Sequence, residues 1–147
     1  MVTIKSFVKI NIMSFGFAVM LSFPIQLLAN IYRIGRVFGW DLSLVNQVVY
    51  SLIFIMFILF TIVFVILTRK YFAENTTKLR FISMVLWFPY FVLINFAFSS
   101  LFPIVDRGEL PTPVVGLLSL GAMIIHPIYI FVINLLAPLK LDNEKSS

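Results

Sequence analysis

Among the long apolar stretches of this 147-residue chain, one side chain titrates near neutrality, His126, followed at once by Pro127. An imidazole so placed serves either as a proton relay or metal ligand, or as a neutral ring bonded to a neighbouring helix and covering backbone that Pro127 leaves open. The chain has a single His and no Cys. A metal would therefore need carboxylates at the same depth, and the apolar stretches hold none. The second use is the expected one. The loop FPIVDRGELPTP carries Asp106 and Glu109 with Arg107 between them. As an acid and base pair they would act on lipid head groups. No nucleophile or His is near them in sequence, so solvated loop charge is expected instead. The chain lacks a Gly-rich phosphate loop, an H-E-x-x-H helix and a G-x-S-x-G elbow. We therefore assign no catalytic residue, cofactor or metal, and expect the protein not to be an enzyme.

Amides are the other chemistry available. Ser14, Ala18, Ser22, Gln26 and Asn30 recur every fourth residue, which sets them along one slowly drifting ridge of a helix. Small and polar groups on such a ridge suit close helix contacts in lipid. An amide left alone in hydrocarbon costs several kcal/mol. Gln26, Asn95 and His126 are all expected between the midplane and the outer leaflet, where they form an intramembrane polar cluster. The helices carrying them, the first, third and fourth spans, are expected to enclose the interior.

Apolar residues make up 61% of the chain and charged ones 12%, against about 45–50% and 25% in soluble domains. A soluble fold this small leaves too much surface exposed to hide that load. Lipid must be the solvent. About 20 apolar residues match a hydrocarbon core near 30 Å, and four stretches qualify: 10–31, 45–67, 81–102 and 114–137. The fold class expected is an all-α membrane domain, a compact bundle of four transmembrane helices. A cleaved signal peptide is the alternative for 10–31. That run is longer than a signal core, and Ala29 makes a poor exit with Leu27 before it.

Between the spans, 33–44 reads as a short connection with Gly35 and Gly39 as breakers and Asp41 beside Ser43 as a cap for the second span. The second span reads as lipid-facing over much of its surface. On the fourth, Gly116, Ser119, Ala122, His126 and Tyr129 share a face, with Asn134 well round from it. Residues 140–147 form a polar tail.

The basic turn between the second and third spans carries Arg69, Lys70, Lys78 and Arg80. Lys5, Lys9, Lys140 and Lys145 join that turn on one side, making eight cations against Arg33, Arg36 and Arg107 on the other. Short loops rich in Lys and Arg stay inside, so both termini are expected in the cytoplasm, with the basic turn facing anionic lipid or an acidic partner. The net charge of +5 is explained by those clusters, and nucleic acid is not an expected partner.

Function enters only as an expectation. The leading reading is a non-enzymatic accessory subunit of a larger complex in the bacterial plasma membrane: a transporter, sensor kinase, secretion or immunity assembly. Its partners would be membrane lipids and another integral membrane protein or a second copy of itself. The rival is a small oligomeric transporter or channel with a polar path past Gln26, Asn95 and His126.

Overall fold

The structure, a computed structural model, describes residues 4–72 and 79–136. Its described residues form five α-helices and two short 3-10 turns, with no strand. The helices are α1 (Ile4–Ala29), α2 (Ile31–Phe38), α3 (Leu42–Phe72), α4 (Ser83–Leu101) and α5 (Pro113–Leu136). All but α2 are long and apolar enough to cross a membrane. At 1.5 Å per residue the 19 residues of α4 reach about 28 Å, close to the thickness of a hydrocarbon core, whereas the 31 of α3 reach about 46 Å. α3 therefore projects past the core, and its last turn carries Arg69 and Lys70, where cations complement the helix dipole.

The connection expected at 33–44 is instead largely helical. α2, set off from α1 by Asn30, occupies its first half, and α3 takes its last three residues. A helix of eight residues can satisfy few of its own backbone groups, and its end shows how it is closed. Gly39 sits at φ +66°, the left-handed cap that only glycine adopts freely. The Gly35 carbonyl accepts the Trp40 N–H at 3.0 Å. Gly35 and Gly39, four residues apart, thus mark a helix end. Asp41 then opens α3 by accepting the Leu44 N–H and the Ser43 hydroxyl, each at 2.8 Å.

The connectivity makes α1 and α4 parallel, since Asn11 meets Tyr90 while Gln26 meets Asn95 further along both. α3 and α5 run the other way, joined where the Thr61 and Tyr129 hydroxyls lie 2.8 Å apart. The core is centred on α1: Ile10, Met13, Phe17, Ala18, Met20 and Leu21 are buried there against Phe64, Trp87, Phe91, Ile130 and Ile133. α1, α4 and α5 supply most of that interior, and α3 adds Phe64. Phe64 stacks on Phe17 with ring centroids 4.2 Å apart. Gly16 lets it do so, because a Cβ there would come within 2.9 Å of that ring. Most of the remaining surface of α3 is exposed and apolar, the solution that lipid permits and water does not.

Candidate functional site

The polar side chains of the ridge and of α4 form one connected group. Gln26 Nε2 donates to Asn95 Oδ1 at 2.7 Å, and Asn95 Nδ2 donates to Ser22 Oγ at 2.9 Å and to the Phe91 carbonyl at 2.8 Å. Asn30 Nδ2 donates to the Gln26 carbonyl at 2.8 Å. Ser22, Gln26 and Asn95 thus join α1 to α4, with Asn30 bonding back to the Gln26 carbonyl at the end of α1, and the neighbouring Ala18 is fully buried. Ser14 stands apart. Eight residues before Ser22, it has turned by about 80° at 100° per residue, and its buried hydroxyl finds no hydrogen-bond partner among the described residues.

His126 does not join this cluster, which corrects the expected trio. Its Nε2 lies 3.0 Å from the Phe17 carbonyl. A carbonyl only accepts, so that nitrogen carries the hydrogen. Phe17 and Gln26 are nine residues apart on α1, about 13 Å along the axis and on opposite faces. His126 therefore lies near mid-bundle on the α5 side, edge-on to Trp87 with centroids 4.6 Å apart. Nor does it cover backbone opened by Pro127, because its bond goes to α1. Asn134, well round from the face of His126 and Tyr129, is buried at a different contact. It is 1% exposed, and its Nδ2 approaches Ser83 Oγ at 3.5 Å. Its place late in α5, opposite the start of α4, could not be read from periodicity.

The largest correction concerns Glu109. Expected as solvated loop charge, it is 4% exposed. Its Oε2 accepts from Arg33 Nε at 3.2 Å, and Arg36 pairs with its other oxygen. Arg33 reaches on to the carbonyls of Phe102 at 3.3 Å and Pro103 at 2.8 Å, the unpaired acceptors past the end of α4. One guanidinium thereby ties α2 to the 103–112 loop. Arg33 and Arg36 are three apart, which on a helix puts both on one face. Asp106 is exposed and accepts the Gly108 N–H at 2.8 Å. Asp106 and Glu109 thus serve a turn and a clamp rather than facing each other as a pair.

Two hollows border these groups. One, of about 350 Å³, lies between the later halves of α1 and α4 beside Ser22 and Gln26. The other, of about 830 Å³, lies between α2 and the 103–112 loop. At the opposite end of the bundle Arg69 and Lys70 are exposed, and Lys9 lies 5.7 Å from the centre of the Tyr71 ring. Lys78, the side chain of Arg80 and the tail 140–147 fall outside the described residues. Compared with protein-family models, curated proteins and solved structures, the chain matches none.

Proposed function

We propose that the chain is a non-enzymatic subunit of a bacterial plasma membrane complex, with both termini in the cytoplasm, working through contact with another integral membrane protein. One observation carries this reading: the amides and the His of the spans are bonded within the bundle, and α3 offers a largely apolar outer flank. Ser22, Gln26 and Asn95 bond among themselves, His126 bonds the Phe17 carbonyl, and Thr61 meets Tyr129. Little remains for passing a polar solute through a single copy, whereas long apolar flanks suit helix–helix association in lipid.

A photoreactive residue placed in turn at Ile55, Leu59 and Ile62, all exposed on one side of α3, tests this in cells. The expected result is one recurrent adduct with a membrane protein at these positions and none from Met13 in the core. Adducts with lipid alone, at these and at outward positions of α4 and α5, would remove the reading. The transporter alternative draws support from the hollow beside Gln26. It requires that liposomes holding the protein show a solute flux that Asn95→Ala and His126→Ala abolish while the protein stays folded.

A further inference from the structure

Two hollows of opposite character share a wall. The smaller is a trough of about 350 Å³ lined by Val19, Phe23, Leu27, Ile94 and Phe98. Its polar edge, Ser22 and Gln26, is already engaged with Asn95. The larger is bordered by Arg36, Asp106, Arg107 and Glu109. Arg33 and Phe102 line both. Between Val19 and Arg33 the trough follows about 21 Å of helix, more than the depth of one leaflet, half of a core about 30 Å thick. An apolar trough one leaflet deep that ends among guanidinium groups has the polarity of a single amphiphile.

Charge selects the head group. Glu109 is buried beneath Arg33 and Arg36, and Asp106 is occupied by the Gly108 N–H. Arg36 nevertheless keeps 62% of its side chain exposed. Arg107 is exposed, with no carboxylate paired to it among the described residues. Three guanidinium groups thus stand against two carboxylates, a net charge of +1, with Arg36 and Arg107 exposed beside the exposed Asp106. Guanidinium forks match phosphate oxygens in geometry as well as in sign. Asn30 stands about one turn below Arg33, at the depth where ester carbonyls follow a phosphate.

We propose that this trough holds one anionic phospholipid, with an acyl chain between α1 and α4 and its phosphate on Arg36 and Arg107. The proposal stands independently of the protein partner inferred above.

Delipidated full-length protein, reloaded from mixed micelles of phosphatidylglycerol or of phosphatidylcholine with the same acyl chains, provides the test, with retained lipid counted by native mass spectrometry. One phosphatidylglycerol per chain should remain, and phosphatidylcholine should wash out. Arg36→Gln with Arg107→Gln should weaken retention about fivefold for each guanidinium removed, while Arg36→Lys with Arg107→Lys, which keeps the charge and loses the fork, should fall between that variant and the natural chain. Leu27→Trp fills the trough without touching charge and should also lose the lipid. Should the double Gln variant not purify as a single helical species, the Lys and Trp variants decide. Equal retention of both lipids, retention unchanged in Leu27→Trp, or full displacement by free glycerol phosphate would each overturn the proposal, the last pointing to a soluble phosphate.

Discussion

Asn95 does more than any other polar side chain inside the spans, accepting from Gln26 while donating to Ser22 and to its own helix. Hydrogen bonds between membrane helices average about 0.6 kcal/mol and reach about 1.7, so Asn95→Ala should lower unfolding free energy in mixed micelles by about 1 kcal/mol. Removing both partners leaves no orphaned amide. The double variant Gln26→Leu with Asn95→Leu should therefore lose clearly less than its two single changes together, and strict additivity would refute the pairing. Asp41 offers a test by pH. The Leu44 N–H first, then the Ser43 hydroxyl, holds its carboxyl below the usual value of 3.8. A folded value below the unfolded one stabilises at pH above the ordinary carboxylate range, and that support fades as pH falls through the lowered value. Amide exchange in the first turn of α3 should be faster in Asp41→Ala than in the natural chain at pH 7. The gap should close under strong acid, and Asp41→Asn should keep most of the protection, since Asn caps as well as Asp.

At the scale of elements, two contacts decide how helices meet. Gly16 is the point where α1 and α3 approach, against a Phe64 ring already pinned by Phe17 and Phe60. A side chain there has nowhere to go without moving that stack, so Gly16→Leu should destabilise by about 1–3 kcal/mol. Gly16→Ala should cost less, as read by thermal unfolding in detergent. The second contact is the clamp of Arg33 and Arg36 on Glu109. Neutralising the acid in Glu109→Gln leaves two cations facing each other and frees the 103–112 loop from α2. That loop should then be cut faster by protease while the spans stay intact, and an unchanged cleavage rate would show that Arg33 holds the loop through the Phe102 and Pro103 carbonyls alone. Periodicity could not reveal this clamp, because Arg33 and Glu109 are 76 residues apart and each alone looks like ordinary loop charge.

For the whole molecule, side of the membrane is the property that every proposal shares. The chain lacks Cys, so single replacements report cleanly: Asn75→Cys in the basic connection and Asp106→Cys in the acidic loop should label from opposite sides, with Asn75→Cys protected in intact cells. Labelling of both from outside would dismantle the topology. Composition and run length by themselves announced four helices long and apolar enough to cross a membrane, although α1 begins six residues before the expected run and α3 ends five residues after its own. An apolar content of 61% is more than a soluble fold of this size buries. They also grouped Gln26, Asn95 and His126 by depth, of which the fold joins the first two. Rotation about each helix axis decided the rest. It set His126 on the far side of α1 from Gln26, turned Asn134 inward, and brought Glu109 beneath two guanidinium groups of α2. Azimuth follows from how side chains interlock between helices distant in sequence, and an apolar helix bathed in lipid has too little contrast between its faces to announce which one is inside.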